Sequence, residues 1–424
     1  MMSKKFVLLL LYVTLVIGLG VFPSTAQEQA ALRLWSFQDP GFNTATQAQI
    51  DAYMQAHPGV TIELQTFPYD TFIPTLQTAF PAQDEADILM IFGTWVCSYA
   101  SNLAEMPEGL VDTSIFFSAP MDGYTCDGKY YGLPQEFNLE YGAVLVNKEM
   151  FEAAGLNYPP EWANWDEFVS DAQALTQVTD GQMTVAGYLF TKEDPIVFSF
   201  LSGILQRGGD YWNADKTAFQ FDTEEARATL QQMMDMVNAG IVDPVLFNGE
   251  ISADAAIPFF QEQAAIQLIG PWGISYKSEF PDFGEFDYVP MPIIGDAPLF
   301  AADSGWGMTV SPNTPYPDIA WDFAKFAAAD PESALAWNIT SSTIPSLRQL
   351  VEDESYQARL LEGEPWLEAV LPTLQYGRYI GRMPDRDKAM YEIIYPYILD
   401  MLQGNMTVEE TAQAIDRDTN DTFN

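Results

Sequence analysis

The sequence predicts an α/β protein built from two lobes, and three observations lead to that prediction. The chain has 424 residues, more than a single hydrophobic core usually supports. Strand patterns alternate with helix patterns along nearly all of it, an order typical of α/β lobes with largely parallel sheets. The sequence contains no low-complexity linker and no repeat of fixed period, so a repeat architecture is not expected.

The first residues have the pattern of a secretory signal. Lys4 and Lys5 precede an apolar run from Phe6 to Phe22, and cleavage is expected after Ala26. The run has 17 residues, at the short limit for a membrane span, so an uncleaved N-terminal anchor is the alternative. We therefore expect residues 1–26 to be removed and the mature chain to act outside the cytoplasmic membrane, in the periplasm or at the cell surface.

The first part of the mature chain reads as strand, helix, strand and strand. Apolar residues alternate over 32–35 and again over 60–64, which predicts two strands with a helix through residues 50–54 between them. His57 falls in the turn after that helix. Residues 88–92 form a continuous apolar run, typical of a strand covered on both faces.

The middle of the chain repeats this alternation. Residues 165–175 have amphipathic helical spacing, and a second helix is expected to open at Asp222, with Glu225 completing a capping box. Further buried strands are predicted at residues 143–146, 264–269 and 306–310.

Charge and cysteine content exclude several kinds of partner. The 59 acidic and 18 basic residues give a formal net charge of −41, which repels nucleic acid and anionic lipid. Cys97 and Cys126 are the two cysteines, and the sequence leaves open whether they form a disulfide or remain buried thiols. With one histidine, they are too few for a Cys/His zinc site, and we expect no metal or cofactor.

Several short motifs follow one another in the order of a known family. Residues 127–134 read Asp-Gly-Lys-Tyr-Tyr-Gly-Leu-Pro, residues 146–151 contain Asn-Lys-Glu-Met-Phe, and residues 165–168 read Trp-Asp-Glu-Phe. Residues 270–272 read Gly-Pro-Trp, and residues 305–307 read Gly-Trp-Gly. Together they resemble the extracellular solute-binding proteins, family 1, which includes the maltose-binding proteins, from about Leu32 to Thr411.

The resemblance implies a periplasmic-binding-protein fold in which crossing segments act as a hinge and the ligand lies in the cleft between two lobes. It places the crossings near Asn138, near 292–300 and near 328–331. The expected N-lobe is 30–138 plus 300–330, and the expected C-lobe is 139–299 plus 331–424. The implied function is capture of a mono- or oligosaccharide by a monomer that delivers it to the permease subunits of an ABC importer.

Candidate ligand contacts follow from the chemistry of sugars, which present apolar faces for aromatic stacking and hydroxyls for fixed polar groups. Trp272 in the Gly-Pro-Trp turn matches the family's stacking position, and Trp306 with Asp303 stands at a crossing. Trp95 follows the strand 88–92, at the end where ligands of open α/β sheets bind.

Phe37 and Asp39 follow the first strand in the same topological place. Glu140 stands where maltose-binding relatives carry a ligand-contacting Glu, but this chain is two residues longer there, so Glu136 or Asn138 are alternatives. Tyr69 and Trp212 lie in loops after recognisable elements, and Arg348 follows Pro345, where the resemblance implies a loop near the cleft. Ordinary packing is the alternative for every candidate.

The sequence leaves two other functions to consider. A secreted glycoside hydrolase would also use aromatic residues and paired carboxylates, but the sequence lacks a Gly-x-Ser-x-Gly elbow, a His-Glu-x-x-His motif and a Walker loop, so we expect no enzyme. The same fold could bind a polyamine at acidic residues, or ferric iron through tyrosines. Tyr130 and Tyr131 lie within the hairpin motif, where packing is the expected role.

Overall fold

The computed structural model describes residues 29–243, 255–383 and 385–423. The predicted signal segment, residues 1–26, lies outside these ranges. None of the helices in the described ranges combines the length and the apolar character that a bilayer crossing requires.

Fifteen strands run through the described residues in chain order. They are β1 (Ala30–Phe37), β2 (Val60–Phe67), β3 (Ile88–Phe92), β4 (Thr125–Cys126), β5 (Lys129–Tyr130), β6 (Gly132–Pro134), β7 (Ala143–Asn147), β8 (Gln177–Thr179), β9 (Gln182–Val185), β10 (Leu189–Phe190), β11 (Ile266–Leu268), β12 (Phe286–Pro290), β13 (Phe300–Ala302), β14 (Trp306–Val310) and β15 (Gly377–Tyr379).

The same described ranges contain fifteen α-helices. They are α1 (Pro40–Ala56), α2 (Tyr69–Ala82), α3 (Gly93–Tyr99), α4 (Ser118–Gly123), α5 (Lys148–Ala154), α6 (Trp165–Leu175), α7 (Asp194–Gln206), α8 (Glu224–Asn238), α9 (Ile257–Phe260), α10 (Pro317–Ala329), α11 (Pro331–Ser341), α12 (Gln349–Glu352), α13 (Glu354–Gly363), α14 (Tyr395–Leu402) and α15 (Val408–Asn420). Short 3₁₀ segments include Pro271–Glu279, and Lys388–Ile394 is a π-helical turn.

Two separate sheets form the cores of the two lobes. The first has the order β2-β1-β3-β14-β6 and the second the order β10-β11-β7-β12. Each sheet is mixed rather than largely parallel, because β14 runs against its neighbours in the first sheet and β7 runs against its neighbours in the second. All five residues of β3 are buried, as its continuous apolar run predicts.

Two stretches of chain connect the sheets. The first crossing, residues 135–142, joins β6 of the first sheet to β7 of the second. The second crossing, residues 291–305, runs from β12 back to β14 and contains β13. The expected crossings near Asn138 and near 292–300 fall within them.

The expected third crossing at 328–331 is wrong. The chain breaks there because Asp330 caps α11 and Pro331 occupies its first turn, but α11 stays with the first lobe. Its Trp337 packs edge-on against Phe42 of α1 at 4.9 Å, and Gln49 of α1 donates a hydrogen bond to Ser333. Residues 331–341 therefore pack with the N-lobe, and the other lobe limits stay predictions.

The structure also decides two local questions, the pairing of the cysteines and the cap of α8. Cys97, in α3, and Cys126, in β4, form a disulfide with their Cα atoms 5.5 Å apart. The cap of α8 is Thr223 rather than Asp222: the Thr223 hydroxyl accepts a hydrogen bond from the Ala226 amide, while Asp222 forms an ion pair with Arg227.

Candidate functional site

Four aromatic side chains meet at the carboxyl ends of β1, β2 and β3, next to the start of β14. Phe37 stacks on Trp306 with ring centroids 4.0 Å apart, and Trp95 meets Trp306 edge-on at 5.4 Å. Tyr69 lies 5.9 Å from Trp95 and 6.3 Å from Trp306. We call these four residues the aromatic cluster, and all of them were candidates from the sequence.

Only part of the aromatic cluster is open to a ligand. Trp306 and Trp95 each expose 6% of their surface, whereas Phe37 is half-buried and Tyr69 is 51% exposed. Trp306 was expected to be an exposed aromatic facing the cleft, but it is buried, and Phe37 stacks on one of its faces. The open aromatic surface belongs to Tyr69 and Phe37. The indole of Trp306 packs against Phe37, and the indole of Trp95 packs against Tyr69.

The second lobe contributes another pair of aromatic rings. Trp272 and Tyr276 lie in the 3₁₀ segment that follows β11, with ring centroids 6.4 Å apart and an edge-on arrangement. Both side chains are half-buried. Trp272 was a candidate from the sequence, whereas Tyr276 was not, and its one signal is an aromatic residue four positions after the tryptophan of the Gly-Pro-Trp motif.

The first crossing places carboxylates beside both groups of aromatic rings. Glu140 Oε1 lies 3.0 Å from the Trp272 Nε1 that donates to it and 2.8 Å from the donating Asn138 Nδ2. Glu136 Oε1 accepts a hydrogen bond from the Trp306 backbone amide at 3.0 Å. Of the three alternatives on this segment, the structure thus joins Glu140 to Trp272, Asn138 to Glu140, and Glu136 to Trp306.

Burial makes these carboxyl groups hard to ionise. Desolvation raises the pKa of Glu140 to about 8, reinforced by the negative charge of Asp194 and opposed by the hydrogen bonds from Asn138 and Trp272. Desolvation also raises the pKa of Glu136 to about 8, and the backbone hydrogen bond from Trp306 opposes it. The pKa of Asp303 rises to about 6 through desolvation, which the positive charge of Arg386 partly offsets.

The buried Arg386 connects the second crossing to the second lobe. Arg386 donates to Asp303 Oδ2 at 2.9 Å, to Asp194 Oδ1 of α7 at 2.8 Å and to the Tyr391 hydroxyl at 2.8 Å. Its guanidinium also lies 5.6 Å from the ring centroid of Phe92 at the end of β3. Asp303 is therefore an ion-pair partner, and sequence reasoning missed Arg386 because no motif marks its segment.

Asp39 combines a structural role with a place at the site. Its carboxylate accepts a hydrogen bond from the Phe42 amide and so caps α1. Its charge also contributes, after burial and Glu279, to a raised pKa of Tyr276 on the other lobe.

Two sequence candidates have packing roles elsewhere. Trp212 is buried, stacks on Phe219 at 4.4 Å and donates its indole N–H to the Ile380 carbonyl at 2.7 Å. Arg348 forms an exposed ion pair with Glu352 one helical turn away. Within the described ranges, no three His, Cys, Asp or Glu side chains converge so as to hold a metal ion.

Comparison with known proteins places this architecture among binding proteins. Residues 39–334 match the sequence model of the family described as bacterial extracellular solute-binding proteins. A binding protein of Brucella abortus is 31% identical over 128 residues, which cover 29% of this chain and 30% of that protein. The arabinooligosaccharide-binding protein of Halalkalibacterium halodurans is 24% identical over 313 residues, 70% of this chain and 66% of that one.

The fold is also shared with solved structures. The ABC substrate-binding protein of Listeria monocytogenes in complex with cycloalternan superimposes with a TM-score of 0.77 and 21% identity, covering 93% of this chain and 99% of that one. At this identity the likeness concerns the two-lobed fold.

Proposed function

Because the chain belongs to the bacterial extracellular solute-binding proteins, we propose that it captures a carbohydrate in the cleft between its lobes. It then delivers the sugar to the permease subunits of an ABC importer. It does so as a monomer outside the cytoplasmic membrane, and it carries out no reaction on the sugar. The expected signal segment, residues 1–26, fits this location.

One observation carries the proposal: aromatic rings from both lobes, Tyr69 and Phe37 on one and Trp272 and Tyr276 on the other, stand beside oriented polar groups. Flat apolar faces bordered by fixed hydrogen-bonding groups are what the alternating C–H and O–H surfaces of a sugar ring require. A ligand that touches both sets of rings favours the closed arrangement of the lobes, because it binds that arrangement more tightly than the open one.

Two of the relatives point to an oligosaccharide. The Halalkalibacterium protein is named for arabinooligosaccharides, and the Listeria protein holds cycloalternan. Two rings on each lobe offer stacking surface for more than one sugar unit.

The test is a thermal-shift screen of the mature protein against arabino-, malto- and cyclic gluco-oligosaccharides, followed by calorimetric titration. A ligand at 100 times its dissociation constant adds about 2.7 kcal/mol to the free energy of unfolding, so a binder raises the melting temperature clearly. We expect a sugar to bind, and Trp272→Ala to weaken that binding by about tenfold or more while leaving it measurable by titration.

Trp162→Ala is the matched control. Trp162 is also half-buried, and its indole N–H also donates to a carboxylate, that of Asp171 at 2.9 Å, but it packs against Phe168 of α6. This variant should bind the sugar as the wild type does. Binding of spermidine or ferric citrate in place of every sugar would overturn the carbohydrate assignment, and release of free sugar from an oligosaccharide would overturn the non-enzymatic one.

A further inference from the structure

Glu140 has no free surface for a ligand. Its Oε1 accepts hydrogen bonds from Trp272 Nε1 at 3.0 Å and from Asn138 Nδ2 at 2.8 Å, and its Oε2 lies 3.2 Å from the same indole nitrogen. The residue is only 2% exposed. A sugar hydroxyl could reach this carboxyl group only by displacing Trp272 or Asn138 from it.

Trp272 has the opposite character, since it is half-buried and keeps part of its surface open. The local backbone is shaped for its contact with the carboxylate: a Cβ atom at Gly270 would lie 2.6 Å from the indole and 2.9 Å from Glu140 Oε2. Any larger residue at that position would therefore force the indole and the carboxylate apart.

From this geometry we infer that Glu140 is a positioning residue: it acts on the bound sugar through Trp272, whose indole it fixes, and does not touch the sugar itself. The inference rests on the proposed function for its ligand. It replaces the expectation, taken from the family resemblance, that Glu140 contacts the ligand directly.

The arrangement also ties the stacking surface to the hinge. Glu140 and Asn138 belong to the first crossing, whereas Trp272 belongs to a loop of the second lobe. The orientation of the indole is thus set by a segment that joins the two lobes.

A double-mutant cycle on the dissociation constant tests the inference. The probe is arabinotriose or maltotriose, whichever the wild type binds more tightly. Glu140→Ala should weaken binding by up to about tenfold, the size expected from losing a hydrogen bond that orients a contact. In the Trp272→Ala background the same change should have less than a twofold effect. If the Glu140 carboxyl group touched the sugar itself, Glu140→Ala would weaken binding equally in both backgrounds, and that result would overturn the inference.

Two further variants separate positioning from general damage. Glu140→Gln keeps an acceptor for the indole and should bind within about threefold of wild type, whereas Glu140→Leu keeps the volume without the acceptor and should behave like Glu140→Ala. Asp171→Ala breaks the equivalent carboxylate contact of Trp162 and should leave the dissociation constant unchanged.

A measurement without any sugar tests the contact itself. The indole N–H resonance of Trp272, assigned by its loss in Trp272→Phe, should shift upfield and exchange faster with solvent in Glu140→Leu, but not in Glu140→Gln. An unchanged resonance would overturn the inference even if no oligosaccharide binds. Failure of the sugar titrations alone would count against the proposed function, so the two failures can be told apart.

Discussion

Replacement of the buried Arg386 should destabilise the protein far more than replacement of an exposed arginine with equally good hydrogen bonds. Its side chain is 3% exposed, and its partner Asp303 is completely buried. In Arg386→Met the Asp303 carboxylate loses its cation but stays in the interior. Breaking a buried ion pair in this way costs about 3–5 kcal/mol of the free energy of unfolding.

Arg359 provides the matched control. It forms two hydrogen bonds to the carboxylate of Glu332, at 2.8 and 2.7 Å, but the two side chains are 50% and 61% exposed. Exposed pairs contribute about 0–1 kcal/mol, so Arg359→Met should cost no more than that. The two substitutions therefore differ in burial while the hydrogen-bond lengths are alike.

The assay is urea unfolding at pH 7 followed by tryptophan fluorescence, with each free energy taken from the transition midpoint. Asp303→Asn in the Arg386→Met background should recover part of the loss, because it removes the carboxylate left without its cation. The loss should also shrink toward pH 5, since Asp303 already has a pKa of about 6 with Arg386 present and a higher one without it. Equal costs for Arg386→Met and Arg359→Met would refute the reasoning.

Three further expectations concern stability. The melting temperature should rise as the pH falls from 8 toward 5. The pKa values of Glu136 and Glu140 are about 8 in the folded state and about 4.3 when unfolded, so the folded state binds more protons between these pH values. The variant with Gln at both positions should show a weaker dependence of melting temperature on pH, and a dependence as steep as that of the wild type would contradict this expectation. Replacing both Cys97 and Cys126 by Ser should cost about 3–4 kcal/mol in urea unfolding, given their separation of 29 residues, and an unchanged midpoint would contradict it. Thr223→Ala should lower the free energy of unfolding by about 1 kcal/mol, because α8 loses its N-cap. An unchanged transition midpoint in urea would contradict a stabilising role of this cap.

Elements with strong local signals were predictable from the sequence. The limits of β3, α6 and β14 coincide with the predicted 88–92, 165–175 and 306–310. In each case the spacing of apolar residues within the element follows from which of its positions are buried. The sequence of that one segment is therefore enough to predict the helix or strand. The family resemblance supplied the order of the lobes and most of the aromatic residues at the site.

What the sequence could not supply depends on pairing between distant segments. Arg386 meets Asp303 and Asp194 from positions 83 and 192 residues away, and nothing local to any of them indicates the contact. The same limit explains the misplaced third crossing: a proline break marks where a helix begins, but only the packing of Trp337 on α1 tells which lobe that helix joins.

The site and the hinge are built from the same stretches of chain. The first crossing carries Glu136 and Glu140, and the second carries Asp303, three residues before Trp306. A ligand that stacks on Trp272 therefore acts on a residue whose orientation depends on the first crossing. A ligand shifts the balance between open and closed lobes only by its difference in affinity for them, and that difference arises where the ligand touches both lobes. Substitutions at Trp272 or at Tyr69 should consequently alter closure and affinity together, because each removes contacts that one lobe makes with the ligand.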